Sequence, residues 1–290
     1  MQALKRLLAL SALLSLPAWA VAPASVTAVQ APAWLERAGR LRPLAVGMAI
    51  ENGDRIRTGD DARAYLTLAE GSTVKLGAGS KLAFFSMSVK PRKEYRGALD
   101  VLTGAFRFTT DGLKRAVKSR EVMVRVGAAT AGIRGTDVWG RSDDREDLIC
   151  LVEGKIDVWH AALPAPISMS EPMSFFVVPK GQAPKAVAPV SAEELGQWVR
   201  QTEIGRGAGA SRAGGKVPVS LGIYKSEAEV LDQYDIARSA GFAVSIKPVA
   251  AEGGGWNYQL VATGFPDKEE AAAAAGRLEA ATGIEAATRP

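Results

Sequence analysis

Apolar and polar residues alternate with a period of two along much of residues 26–162, as they do in half-buried strands. Residues 62–68 show the alternation clearly, and Gly, Asp and Ser separate successive segments at intervals of roughly 8–12 residues. Amphipathic segments of about 10–15 residues do not separate them, so parallel βαβ units are excluded. The pattern predicts an all-β N-terminal domain over residues 26–162, as a β-sandwich, a roll or a β-helix-like stack.

Residues 216–290 follow a different pattern, in which strand-like and helix-like segments take turns. They predict a β-α-β-β-α-β order, with strands at 217–224, 241–248, 256–262 and 283–288 and helices at 226–240 and 268–282. This order predicts an α+β domain, ribonucleoprotein-like, with helices on one face of its sheet. The other face stays open, which is typical of a binding surface and favours recognition over catalysis.

The segment between the two domains, residues 163–215, is rich in Pro and Gly and is predicted to be a linker. A capping-box pattern at Ser191 begins a short helix over residues 191–204, with Leu195, Trp198, Val199 and Thr202 on one face. We expect that face to dock on the β domain; a partner-binding face is the alternative. Residues 205–215 hold few apolar side chains and are predicted to be a flexible tether.

Residues 1–20 have the three parts of a secretory signal peptide. Lys5 and Arg6 precede an apolar run over residues 7–16, and an Ala-x-Ala cleavage pattern ends at Ala20. The run is shorter than the ~20 residues that span a bilayer, and no later segment reaches that length. We therefore expect cleavage near Ala20, location in the periplasm and no transmembrane segment afterwards.

Removal of Lys5 and Arg6 takes two positive charges from the formal net charge of +5 and leaves +3. That mild excess does not indicate nucleic acid as a partner. With one Cys, Cys150, and one His, His160, an intrachain disulfide and a multi-His metal site are both excluded. Cys150 lies in a continuous apolar strand and is predicted to be a core residue.

The remaining candidate for chemistry is a glycine-punctuated bend at residues 131–138. Arg134 and Asp137 are either a catalytic or anion-binding pair or residues that order the bend, and the second reading is favoured because turn residues commonly have this role. Gly132 and Gly135 lack the strand-then-helix context of a phosphate loop. We expect no catalytic residue, no metal and no cofactor.

A series of motifs in residues 35–160 resembles the FecR domain. The motifs are Gly47, Gly53-Asp54-x-Ile56-x-Thr58-Gly59, Gly71-Ser72, Ile133-Arg134-Gly135-Thr136 and Val152-x-Gly154. The resemblance implies a periplasmic all-β domain, and the best-known members of the family relay a receptor signal to a cytoplasmic sigma factor. This chain shows neither a cytoplasmic anti-sigma segment nor an internal transmembrane helix, so a periplasmic interaction or scaffold module is the favoured interpretation.

Residues 216–288 resemble the SPOR domain, a bacterial peptidoglycan-binding module. Val219-x-x-Gly222-x-Tyr224, Gly241-Phe242 and Tyr258 to Phe265 match the family's motifs in order and spacing. The chain has Ser220 where the family often has Gln, Gln259 where it has Arg, and Thr263 where it has Gly. Family members bind glycan strands stripped of stem peptides through the open sheet face.

This resemblance and the strand alternation give the predicted glycan-binding set on the sheet face: Ser220, Gly222, Trp256, Asn257, Gln259 and Val261. Trp256 either stacks on a sugar ring or caps the edge of the core. RNA binding, the rival function for a ribonucleoprotein-like sheet, is disfavoured because the outward positions lack an aromatic pair and the chain carries an export signal.

These observations predict a periplasmic, non-enzymatic protein that binds peptidoglycan glycan strands, with the FecR-like domain contacting a periplasmic or envelope protein. A role in cell division would fit such a protein. The alternative is a periplasmic sensor in FecR-type envelope signalling. A glycan hydrolase has no support, because no motif places a pair of carboxylates.

Overall fold

The computed structural model describes residues 22–85, 87–110 and 117–288, so the signal-peptide prediction lies outside the described residues. The strands of the N-terminal region are β1 (Ala24–Gln30), β2 (Ala33–Arg37), β3 (Arg40–Pro43), β4 (Ala49–Ile50), β5 (Arg55–Thr58), β6 (Arg63–Leu68), β7 (Thr73–Leu76), β8 (Lys81–Phe84), β9 (Ser88–Lys90), β10 (Arg92–Thr109), β11 (Val117–Val126), β12 (Ala129–Ile133), β13 (Asp137–Ser142), β14 (Glu146–Glu153), β15 (Ile156–His160), β16 (Ile167–Met169), β17 (Ser174–Pro179), β18 (Ala188–Pro189) and β19 (Ala210–Arg212).

The C-terminal region contains strands β20 (Val217–Tyr224), β21 (Ser245–Ala250), β22 (Trp256–Phe265) and β23 (Ala287–Thr288). The helices are α1 (Ala192–Arg200), α2 (Glu227–Ser239) and α3 (Lys268–Thr282). In the described part of the chain, none of these helices has the length and apolar run that a membrane crossing requires.

The N-terminal domain is built from two sheets joined by one long strand, β10. Its first part pairs with β8, β9 and β11 in sheet B, and residues 104–109 pair with β7 and β13 in sheet A. Gly104, at the passage between the sheets, has φ of +85°, and a Cβ there would collide with Ser80. The crossing therefore requires glycine.

The core lies between the inner faces of the two sheets. Strand β6 shows how the period-two pattern produces it, since Ala64, Leu66 and Leu68 are buried and the residues between them are half-buried. Phe84 from sheet B and Phe106 from sheet A belong to the same apolar cluster. The predicted all-β class is confirmed, as two sheets that share one strand and one core.

Helix α1 packs on the outer face of sheet A, as its apolar face predicts. Ser191 caps it by accepting from the Glu194 N–H at 3.1 Å. The Trp198 ring stacks on Trp139 with centroids 5.3 Å apart and meets Phe175 edge-on at 5.6 Å. Trp139 is fully buried as a result, so α1 supplies a second apolar layer to the domain.

The chain after α1 is held by an ionic cluster around Glu203. Its carboxylate accepts from Lys75 Nζ at 2.7 Å, from the Tyr65 hydroxyl at 3.1 Å and from Arg107 at 2.9 Å. Arg107 also contacts Asp137 at 2.6 Å. Burial acts to raise the pKa of Glu203, but the hydrogen bonds and positive charges of its neighbours outweigh it and leave that pKa lowered.

A lowered pKa makes the stabilising effect of Glu203 depend on pH. The effect is present above the pKa of the unfolded chain, about 4.3 for Glu, and is lost as the pH falls through the lower folded value. We expect Glu203→Gln to lower stability at neutral pH and to flatten the loss of stability between pH values of about 5 and 3. Urea unfolding at a series of pH values measures both effects, and parallel curves for the two proteins would contradict them.

The segment predicted as a linker and flexible tether differs from that prediction. Strands β16 and β17 extend the two sheets, and β19 pairs antiparallel with β1, with Ser211 opposite Val29. The buried carboxylate of Glu270 accepts from the N–H groups of Gly207, Gly209 and Ala210 at 3.0, 2.7 and 2.9 Å. Backbone pairing thus orders a segment that has few apolar side chains.

The C-terminal domain has one antiparallel sheet, sheet C, in the order β21-β22-β20-β23. Helices α2 and α3 cover one face, with Val230 and Leu278 in a core that includes Leu260. The predicted β-α-β-β-α-β order is confirmed.

The C-terminal domain is docked on the N-terminal domain through α3 and the end of α2. Arg277 donates to Ala31 O at 2.6 Å and pairs with Asp61 at 2.5 Å, while the Ala33 N–H donates to Gly241 O at 3.2 Å. Sheet C therefore meets the N-terminal domain from its helical side.

Candidate functional site

Strand β20 carries a bulge that shapes the open face of sheet C. Its register with β22 shifts between Ser220 and Ile223, and Gly222 has φ of +104°. The Tyr224 hydroxyl donates to Leu221 O at 2.6 Å, and a Cβ on Gly222 would lie 3.1 Å from that hydroxyl. Position 222 therefore favours glycine both for its backbone and for the space around it.

The open face follows from the strand register. Ser220 lies opposite Val261, and Gln259 lies between Ile223 on β20 and Lys247 on β21. The Gln259 amide donates to the Ser220 hydroxyl at 3.2 Å. These side chains occupy the face that α2 and α3 do not cover.

Gln259 and Val261 point to the predicted face, but they offer little surface there. They are 7% and 2% exposed on this inner strand of the sheet, where Gln259 lies between Ile223 and Lys247 and Val261 lies between Ser220 and Ser245. Ile223, at 51% exposed, and the exposed Lys247 form the accessible part of the face instead. The sequence prediction missed both, although alternation along β21 would have indicated Lys247.

The two remaining predicted residues of β22 lie on opposite faces of the sheet. Asn257 is half-buried and lies opposite Val249, on the same face as Gln259 by alternation. Trp256 is 62% exposed and lies opposite Ala250, at the far end of the strand and on the other face by alternation. The structure therefore does not bring Trp256 together with Ser220.

A cleft of about 550 Å³ opens beside the bulge, at the sheet edge between β20, α2 and the chain that connects α3 to β23. Its polar lining combines hydroxyl, amide and carboxylate groups with exposed backbone, from Ser220, Gly222, Tyr224, Gln233, Gly283 and Glu285. A polar cleft of this volume next to an apolar Ile223 is suited to a hydroxyl-rich ligand with an apolar ring face.

The candidate residues of the N-terminal domain have structural roles. Asp137 pairs with Arg107 of the neighbouring strand β10, while Arg134 is exposed. Asp137 therefore has a structural role, in line with the favoured reading of this bend, and its ion-pair partner comes from β10.

Cys150 and His160 also have structural roles and are not placed as a nucleophile or a base. Cys150 is buried, and burial raises the pKa of its thiol to about 12. The Nδ1 of His160 accepts from the Ala162 N–H at 3.1 Å, which holds the turn after β15.

Comparison with known families agrees with both domains. A family model described as FecR protein matches residues 54–157, and one described as SPOR domain matches residues 213–290. The chain contains a FecR domain followed by a SPOR domain. The FecR match covers the part of the β domain from β5 into β15, and we use the name FecR domain for that β domain as a whole. The open face of sheet C belongs to the SPOR domain.

Two crystal structures of a candidate anti-sigma factor from Parabacteroides distasonis are similar to this chain. One has a TM-score of 0.41 and 14% identity and covers 68% of this chain and 95% of its own. The other has a TM-score of 0.42 and 13% identity and covers 79% of this chain and 91% of its own. No curated protein matches the chain.

Proposed function

We propose that this protein is a periplasmic, non-enzymatic protein that anchors to cell-wall glycan through its SPOR domain and presents its FecR domain to an envelope partner. The SPOR match over residues 213–290 supports peptidoglycan as the ligand. The proposal depends above all on how the domains dock. The described contacts between them come from α3, from Gly241 and from Gly264 at the end of β22, while Ile223 and Lys247 stay exposed on the open face.

The open face supplies the chemistry that a sugar chain needs. Ile223 gives an apolar surface for a ring face, and Lys247 gives a cation for an acidic substituent. The Ser220–Gln259 pair and the cleft beside Gly222 add hydrogen-bonding groups for hydroxyls. The repeating unit of the wall glycan carries the matching groups, which are sugar ring faces, an acidic substituent and hydroxyls.

Co-sedimentation of the mature chain with purified sacculi tests the anchoring. Binding that rises after an amidase removes the stem peptides supports glycan as the ligand, and absence of binding to either preparation would refute it. A zymogram that shows clearing of peptidoglycan would overturn the non-enzymatic part of the proposal.

A single substitution on the open face gives a sharper test. We expect Ile223→Glu to weaken sacculus binding at least tenfold, about 1.4 kcal/mol, because it places an anion on the proposed apolar contact. Leu231→Glu is the matched control, since Leu231 is 49% exposed on α2 at the helical side. Equal losses in the two variants would contradict the assignment of the face.

A second candidate function is sensing within FecR-type envelope signalling, which the match to the FecR protein family over residues 54–157 favours. Photocrosslinking from exposed positions of the FecR domain in living cells distinguishes the two. Capture of a membrane signalling protein would support the sensor, and capture of wall-associated proteins alone would support the scaffold.

A further inference from the structure

A row of three side chains crosses the outer face of sheet B in the FecR domain. Trp34 on β2 lies opposite Arg57 on β5, and Arg57 lies opposite Lys81 on β8. Arg57 and Lys81 are exposed and Trp34 is half-buried. The row thus places an aromatic ring and two cations side by side on three neighbouring strands of one sheet.

Two like charges directly opposite each other on neighbouring strands destabilise a sheet. In the described part of the chain, neither Arg57 nor Lys81 has a carboxylate within ion-pair distance, whereas nearby Arg55 pairs with Glu36 at 3.2 Å. Among the described residues, this cationic pair therefore has no direct ion-pair partner. Such a pair is explained if an anionic ligand supplies the missing charge.

The surface around the row is concave. Two adjoining clefts of about 440 and 260 Å³ share Arg57 and Lys81. Thr58 and Asp60 line the larger cleft, while the exposed Leu102 and the Glu36–Arg55 ion pair line the smaller. The exposed Asp60 would repel a dense polyanion but can accept hydrogen bonds from hydroxyl groups.

Trp34 is fixed where a ligand ring could stack on it. One edge of its indole packs against the SPOR domain, since a Cβ on Gly241 would lie 2.6 Å from Trp34 Cζ2. Trp34 also lines the larger cleft. An indole held at one edge and open to a cleft favours stacking with the apolar face of a sugar ring.

We propose that this groove, defined by Trp34, Arg57, Asp60 and Lys81, binds an acidic sugar. The carboxylate would lie between Arg57 and Lys81, the ring against Trp34, and a hydroxyl at Asp60. The groove is separate from the open face of sheet C, so the FecR domain would make its own contact with carboxylated glycan beside the SPOR domain. Binding at this groove does not depend on glycan binding by the SPOR domain.

NMR titration of the full mature chain tests the site with two related probes. N-acetylmuramic acid carries a lactyl carboxylate, and N-acetylglucosamine is the same ring without it. We expect a saturable shift of the Trp34 indole N–H signal, assigned by its loss in Trp34→Phe, with the acidic sugar and at least a tenfold weaker response with the neutral one.

Two double variants distinguish the effect of the groove's two charges on binding from the effect of the protein's net charge. Arg57→Gln with Lys81→Gln should weaken binding at least tenfold, while the melting temperature stays equal or rises because the like-charge pair is gone. Lys155→Gln with Lys185→Gln removes the same charge from exposed positions elsewhere and should leave binding intact. Ile223→Glu should also leave this signal unchanged, which distinguishes the site from the SPOR face.

Several outcomes would overturn the proposal. They are an unperturbed Trp34 signal, an equal response to the neutral sugar, and undiminished binding by the Arg57 and Lys81 double variant. Charge-dependent co-sedimentation with phosphatidylglycerol vesicles in the absence of sugar binding would instead make the groove a lipid contact and would also refute an acidic sugar as its ligand.

Discussion

We expect Trp198→Ala to lower the free energy of unfolding of the FecR domain by about 3–5 kcal/mol, the range for truncating a large aromatic residue in a core. Trp198 is 8% exposed, and its ring lies 5.3 Å from that of Trp139. Its removal leaves a cavity above Trp139 and takes the aromatic contact from Phe175. Guanidinium unfolding followed by near-ultraviolet circular dichroism measures the loss.

Trp256→Ala is the matched control, because the same substitution at a side chain that is 62% exposed removes little buried surface. We expect it to change the unfolding midpoint by less than a third of the effect of Trp198→Ala. Similar midpoints for the two variants would mean that α1 is not docked on sheet A in solution.

Local sequence signals predicted the helices of the C-terminal domain well, because capping and termination are local. Helix α3 begins after Asp267, whose carboxylate accepts from the Glu270 N–H at 2.9 Å, and ends at Gly283 with φ of +71°. Both signals lie within a few residues of the helix ends. The docking of α1 was predictable for the same reason, since its apolar face is visible in its own sequence.

The candidate site was only partly predictable. Alternation placed Gln259 on the open face, but its 7% exposure depends on Ile223 and Lys247 of the neighbouring strands. The position of Ile223 depends in turn on the bulge at Gly222, which shifts the register by a step that alternation alone does not predict. The exposure of a side chain on a sheet depends on its own strand and on the two neighbouring strands. The sequence of one strand predicts only the face to which the side chain points.

The ordered segment before the SPOR domain could not be predicted from its own residues. Strand β19 pairs with β1, far earlier in the chain, and the N–H groups of residues 207, 209 and 210 donate to Glu270, far later. Its Gly-rich composition is the same as that of a flexible linker. Here the glycines serve close approach, because a Cβ on Gly209 would lie 2.7 Å from the Ala274 nitrogen.

Glu270 therefore connects the two domains, and its removal should loosen that connection. We expect Glu270→Ala to accelerate hydrogen exchange of residues 205–215 at least tenfold, about 1.4 kcal/mol, because three amide donors lose their acceptor. Each unsatisfied buried donor costs about 1–3 kcal/mol, which favours local opening over retention of the closed segment. Exchange of the FecR core should stay slow, because its sheets do not depend on this carboxylate.

Glu269→Ala is the control for charge and helix position. Glu269 is the preceding residue of α3, and its carboxylate, 53% exposed, pairs with Arg206 at 3.0 Å. An exposed pair of this kind contributes about 0–1 kcal/mol, so exchange over residues 205–215 should rise little. If Glu270→Ala raises hydrogen exchange over residues 205–215 no more than Glu269→Ala does, the order of this segment comes from the pairing of β19 with β1 alone. If only Glu270→Ala exchanges faster, the buried carboxylate fixes how the SPOR domain is held against the FecR domain, and with it the direction in which the open face of sheet C points.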